Sequence, residues 1–158
     1  MKKRPTKAMV VGILSDTHGL LRPEALAALA GAELIIHAGD VGTPEIIAAL
    51  REIAPVFAVR GNIDTGHWAD PLPLSRTVPA GGHDFYVLHD ISELAIDLVK
   101  AGVSAVIFGH SHKPSIEWRE DVLYLNPGSA GPRRFRLPIS LARVRISGKR
   151  IEPEIITL

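Results

Sequence analysis

The chain has no cysteine among its 158 residues. Disulfide staples and thiolate metal sites are therefore excluded. Aromatic residues make up only 5% and the net charge is +1. That combination weighs against a nucleic-acid surface, which needs a basic field and stacking platforms. No run of about 20 apolar residues exists, so no segment is expected to span a membrane as a helix. No secretory leader is expected either. The basic start, Lys2-Lys3-Arg4 with Lys7, leads into the short apolar stretch Ala8–Leu14 and at once into polar Ser15-Asp16. The expected location is cytoplasmic. Repeats, low-complexity tracts and long linkers are absent too.

What is present fits a globular chain: 46% apolar and 22% charged residues. A chain of this length buries roughly 68–70% of its unfolded surface and makes one domain. The expected domain is 1–158, with residues 1–7 as a flexible tail. The first half alternates strand and helix. Ala8–Ser15 is rich in Val and Ile and reads as a strand. Arg22–Ala30 reads as a helix with Pro23 in its first turn and Gly31 at its stop. Leu34–Ala38 is a second strand, Pro44–Ile53 a helix behind Thr43, and Val56–Val59 a third strand. This order implies parallel strands with right-handed crossovers. Further on, Phe85–His89 is a strand. Asp90–Ala101 reads as a helix, with Asp90 and Glu93 in capping-box spacing and Gly102 as stop. Ser104–Phe108, Ser115–Trp118, Val122–Asn126, Ile139–Ile146 and Arg150–Ile156 are strands. Ser147-Gly148-Lys149 is the turn of a hairpin.

Polar residues collect where these strands end. The ends read Ser15-Asp16-Thr17-His18, Gly39-Asp40, Gly61-Asn62-Ile63-Asp64, His89-Asp90 and Gly109-His110-Ser111-His112. Ligands of α/β sheets sit outside the carboxyl ends of the strands, so these clusters are expected to share one rim. Asp16/His18 and His110/His112 are i, i+2 pairs, which in extended backbone project to the same side. Gly39, Gly61 and Gly109 each precede a candidate ligand, where glycine allows close approach. Asp16, His18, Asp40, Asn62, His89, His110 and His112 are too many groups for one ion with an open position. They fit two divalent ions if one carboxylate bridges, and two such ions clamp the attacking and leaving oxygens of an in-line displacement. Ser15 has no base of its own, which rejects a serine-hydrolase reading. His37, inside the second strand, is expected in the core or behind the ligands, and His67 and His83 on the surface.

Asp16-x-His18, Gly39-Asp40, Gly61-Asn62-x-Asp64, His89 and Gly109-His110-Ser111-His112, in that order, resemble the calcineurin-like metallophosphoesterase family. Asn126-Pro127-Gly128-Ser129 resembles a motif of its small bacterial and archaeal phosphodiesterase subgroup. The resemblance runs from about residue 9 to about residue 157. It implies an α/β fold, a four-layer α/β/β/α sandwich whose two mixed sheets pack face to face with helices outside. It also implies a first metal on Asp16, His18, Asp40 and His112, and a second on Asp40, Asn62, His89 and His110, bridged by Asp40. The activity implied is that of a metal-dependent phosphodiesterase, using a hydroxide that bridges the two ions. Asn62, His89 and Asp64 would be its catalytic residues, and Asn62, His110 and Arg133 its substrate contacts. The ions would be manganese, with iron, zinc or nickel as alternatives; an imidazole-rich, thiolate-free site agrees. The expected partner is a small phosphate ester rather than nucleic acid or membrane, and homo-oligomers occur among similar small members. The alternative is a protein-binding scaffold like the retromer subunit of this fold. That subunit departs from the pattern at the first motif's histidine, present here as His18.

Two positions depart from the family pattern. Asp90 stands where glycine usually follows the histidine. Ile63 stands where many members have a histidine able to protonate the leaving oxygen, and only Asp64 or His67 could substitute. Loss of a general acid typically costs about 10²–10⁴-fold, and most for poor leaving groups. The enzyme should therefore favour aryl over alkyl esters. A rate that does not vary with leaving-group pKa across a substituted series would refute this.

Overall fold

The computed structural model describes residues 8–158. The tail expected at 1–7 lies outside the described residues. Among the described residues, ten strands form two five-stranded mixed sheets. The first sheet has the order β10-β9-β1-β2-β3, from β1 (Met9–Leu14), β2 (Leu34–His37), β3 (Val56–Ala58), β9 (Ser140–Ser147) and β10 (Arg150–Thr157). The second has the order β4-β5-β6-β8-β7, from β4 (Ser75–Ala80), β5 (His83–Leu88), β6 (Ala105–Ile107), β7 (Ser115–Arg119) and β8 (Val122–Asn126). β1, β2 and β3 are parallel, as the alternating pattern requires, and α1 (Pro23–Leu29) and α2 (Pro44–Arg51) connect them. Both helices start at proline, which tolerates the first turn because its missing N–H has no partner there. Gly148, at φ +58°, opens the two-residue loop that closes β9 onto β10.

Alternation along the strands builds two cores. Val11, Ile13 and Ile36 face the second sheet, where they meet Phe85, Val87, Ile107 and Leu125. Leu14 and Ile35 point the other way, toward Leu29, Ile46, Ile47 and Leu50 of the helices.

The helix expected over Asp90–Ala101 does not form. Asp90 does cap, with Oδ1 accepting from the N–H and hydroxyl of Ser92, but only a 3₁₀ turn, Ile91–Glu93, follows. Asp97 Oδ1 then accepts from the N–H of Lys100, a second local turn. Aspartates that bind nearby backbone offer the chain an alternative to the helix. The outer layer over the second sheet is thus an irregular segment, whose Leu98 and Val103 pack on Val106 and Val122. β4 falls outside the strands expected from sequence because it is polar and carries Pro79. It lies at a sheet edge, where a missing N–H is tolerated.

The parallel strands carry their carboxyl ends to one rim. Backbone bonds join the loops there: Asp16 N–H to the Gly39 carbonyl at 3.0 Å, His18 N–H to that of Asp40 at 3.0 Å, and Gly109 N–H to that of His89 at 2.9 Å. The rim rests on the inter-sheet core, at whose centre Phe85 is fully buried. Phe85→Ala should cost about 3–5 kcal/mol. The urea midpoint should fall with an unchanged slope, and a loss below about 1 kcal/mol would mean that the sheets repack around the gap.

Candidate metal centre

The ligand-bearing loops are not extended. Asp16, His18, Asp40, His110 and His112 all have positive φ, between 47° and 70°. The expectation that the i, i+2 pairs converge through extended backbone is therefore corrected: each pair converges because both members lie in the left-handed region. Asp and His enter that region more readily than most residues, yet single residues there are uncommon. Five in one cluster imply surroundings that over-determine the backbone.

Those surroundings are close glycine contacts. A Cβ on Gly61 would strike the backbone N and Oδ1 of Asp40, and one on Gly109 would strike Ser15 Oγ and Asp16 Oδ2. Both glycines precede a candidate ligand and are needed for approach.

Asp16 and Asp40 occupy the centre, 0% and 3% exposed. Asp16 Oδ2 accepts from the Ser15 hydroxyl at 2.8 Å and the His110 N–H at 3.1 Å. Its Oδ1 has no hydrogen-bond partner and faces Nε2 of His112 at 3.3 Å, His18 at 3.7 Å and His89 at 3.8 Å. Asp40 Oδ1 accepts from the Ile63 N–H at 3.1 Å, while Oδ2 faces His89 Nε2 at 3.3 Å and His18 Nε2 at 3.5 Å. Asn62 turns its amide toward Asp40 and His89, its inward atom 3.1 Å from His89 Nε2 and 3.2 Å from each Asp40 oxygen. Two groups emerge whose ligand atoms all lie within 4.8 Å of one another: Asp16, His18 and His112, and Asp16, Asp40 and His89. Asp16 belongs to both, while Asp40 Oδ2 faces a histidine of each.

This donor set fits divalent cations. A buried carboxylate oxygen and a buried imidazole nitrogen, Asp16 Oδ1 and His18 Nε2, lack hydrogen-bond partners, and buried polar atoms are normally satisfied. His89 is oriented as metal-bound histidines are, with Nδ1–H donating to the Ala38 carbonyl at 2.8 Å and Nε2 toward the carboxylates. Burial pushes the His89 imidazole down, but hydrogen bonding to Asp40 and the charges of Asp16 and Asp40 carry it above its ordinary value. Burial pushes Asp40 up, and His89 with the Ile63 N–H brings it below the usual carboxylate range. His112 is lowered, first by burial and further by Arg134, against the pull of Asp16.

His110 stands at the rim's edge, its side chain 48% exposed. It packs edge-on against His89 at 5.2 Å, with Nε2 facing Asp90 at 3.8 Å. It is outside both compact groups. Asp64 does not join the cluster. Its oxygens accept from the N–H groups of Val41, Gly42 and Gly61 at 2.9–3.1 Å, so it ties two ligand loops together. A carboxylate held by three donors is an acceptor. His67 is fully exposed beside Asp70. Ile63 is 40% exposed. Arg133 lines a recess of about 130 Å³ with His18, His112, Pro132 and Arg134.

The residues behind the ligands were only partly legible in sequence. His37 is buried, and burial, aided by the charge of His89, lowers its pKa to about 3. The neutral ring accepts from the Gly39 N–H at 3.1 Å and donates to Thr17 Oγ1 at 2.9 Å, which donates to the Val41 carbonyl at 2.8 Å. Asn126 Nδ2 donates to the Gly109 carbonyl and to Ser111 Oγ, both at 3.1 Å, and Ser129 Oγ donates to the Asp16 carbonyl at 3.1 Å. The Asn126–Ser129 motif thus supports both loops. Thr17 and Ser15 were missed as supports; their one signal is a hydroxyl on each side of Asp16.

Gly109→Ala should displace Asp16 and lower affinity for manganese by about 10–100-fold, the range for disturbed supporting shells. The far-ultraviolet circular dichroism should stay native. Calorimetric titration of the metal-stripped variant measures this, and wild-type affinity would show that the carboxylate can yield.

Comparisons with known proteins place the chain in a family. Residues 9–149 match the family model described as calcineurin-like phosphoesterase superfamily domain. A probable metallophosphoesterase of Methanothermobacter thermautotrophicus is 36% identical over 94% of this chain and 92% of its own. Among solved structures, an archaeal phosphodiesterase is similar with a TM-score of 0.78, at 23% identity over 94% of this chain and all of its own. Vacuolar Protein Sorting 29 of Cryptosporidium parvum is similar with a TM-score of 0.76, at 18% identity over 96% of this chain and 98% of its own. At those identities the two structures speak for the fold alone. The family match, which spans the whole rim, shows that this chain belongs to the calcineurin-like phosphoesterase superfamily.

Proposed function

We propose that the protein is a phosphodiesterase that works with two divalent ions, manganese before iron, zinc or nickel. The observation that carries this reading is the pair of overlapping ligand groups around Asp16 and Asp40. One group with an open position would serve a single ion; overlapping groups serve two neighbours. Asp16, His18, Asp40 and His112 would hold the first ion, and Asp40, Asn62, His89 and His110 the second. When bound, the ions supply Lewis acidity and acidify a water near neutral pH.

The chain's own residues supply the rest. Asp16 and Asp40 fix the charge at the rim, and the Ala38 carbonyl keeps Nε2 of His89 turned inward. Asn62 and His110, both on the open side, would meet phosphoryl oxygens. Arg133, beside His18 and His112, offers a guanidinium suited to phosphate. No proton donor follows Asn62, because Ile63 cannot give one and Asp64 is committed to backbone. A small phosphate ester in the cytoplasm is the proposed substrate.

The scaffold reading draws on the likeness to Vacuolar Protein Sorting 29. The two compact groups of carboxylates and imidazoles, His18 included, favour the enzyme. Metal-stripped protein should not hydrolyse bis(p-nitrophenyl) phosphate until manganese is added, and His112→Ala should lose at least about 100-fold of that turnover. Protein that binds two ions and still fails to turn over would move the reading to the scaffold.

A further inference from the structure

The segment after Gly131 overhangs the rim. Its base is fixed: the Ala130 N–H donates to the Ser15 carbonyl at 3.0 Å, and Arg22 donates to the Gly131 carbonyl at 3.3 Å. A Cβ on Gly131 would strike the carbonyl oxygens of Asp16 and Thr17. Residues 132–134 are therefore held within reach of the ligands, lining one recess with His18 and His112. At their tip stands Phe135, 88% exposed and at φ +55°. A bulky residue in the left-handed region is an outlier that asks for a reason. The reason is local for the backbone, since a 3.2 Å bond from the Leu137 N–H to the Arg134 carbonyl closes a turn through Phe135, but the ring itself packs on nothing in the described cores.

Phe135 lines a groove of about 890 Å³ with His110, Ser111, Lys113, Arg134, Arg136 and Leu137. The groove opens at His110, so it continues the site. Among the described residues, no ion pair engages Lys113, Arg134 or Arg136. One exposed ring among three free cations beside a phosphate-seeking centre has the chemistry of a nucleotide site. A base stacks on the ring or on a guanidinium plane, and the cations meet the sugar-phosphate charge. We propose that the groove binds the organic part of the ester, and that this part is a nucleoside, its base against Phe135 and its phosphate toward His110. This rests on the reading of the rim as a phosphoesterase centre, and it narrows the substrate class to nucleotide esters.

The test compares two ligands that differ only in the base: the phosphonate analogues of adenosine 5′-monophosphate and of ribose 5-phosphate, whose P–C bond resists hydrolysis. Binding to the manganese-loaded protein is measured by calorimetry, so no turnover is needed. The adenosine analogue should bind at least about tenfold more tightly, in line with one stacked base. Phe135→Ala should remove most of that difference and Phe135→Tyr should keep it. The exposure of Phe135 predicts an unchanged melting temperature for both variants. Equal binding of the two analogues to the wild type would overturn the proposal, and so would a difference that survives in Phe135→Ala. Either result leaves the phosphoesterase reading intact if bis(p-nitrophenyl) phosphate is still cleaved. A base preference carried by Phe135 without cleavage would uphold the groove and sink that reading instead.

Discussion

Two carboxylates, Asp16 and Asp40, lie buried side by side where two sheets meet, and much of the molecule is arranged to tolerate them. Burying such groups is unfavourable unless donors or cations surround them. Each has one oxygen satisfied by protein N–H or O–H groups, while the other is turned toward imidazole nitrogens. Two of the four oxygens, Asp16 Oδ1 and Asp40 Oδ2, would make little sense in a core without a ligand; with divalent ions at the rim they would become a charge-neutralising arrangement.

That requirement reaches back into the backbone. The carboxylates and three of the histidines converge only because five residues accept left-handed φ values. Such strain persists where surrounding structure over-determines it. Here the overdetermination comes from Asp64, from His37 with Thr17, and from Asn126 with Ser129, each bonding to the backbone of a ligand loop. Asp64 is the instructive member. It lies two residues from Asn62, and its oxygens accept from three backbone N–H groups. Sequence proximity to a ligand is not proximity to the reaction.

The open side of the site is built differently. His110, Asn62 and the arginines are less buried, and the segment carrying Arg133, Arg134 and Phe135 has no regular structure. On the reading proposed above, a buried centre with irregular, exposed surroundings would separate the chemistry from the choice of ester. Loops that bear recognition residues on a rigid scaffold are the common form of that division.

By itself the sequence determined the strands other than β4 and the candidate ligands at their ends. Alternation in Val11–Leu14 and Leu34–His37 follows from the two faces of a buried strand, and motifs at strand ends follow from parallel topology. It also determined that Gly61 and Gly109 permit close approach, since a missing Cβ is a local property. Tertiary structure decided the rest. Asp90–Ala101 has a capping residue and apolar spacing, yet local turns at Asp90 and Asp97 and packing on Val106 made it irregular. β4 became a strand only because a sheet edge was available to it. The left-handed ligand loops, the role of Asp64 and the position of Phe135 beside His110 depend on contacts between segments far apart in the chain. No local pattern encodes such contacts, because their energy exists only once both sheets have met.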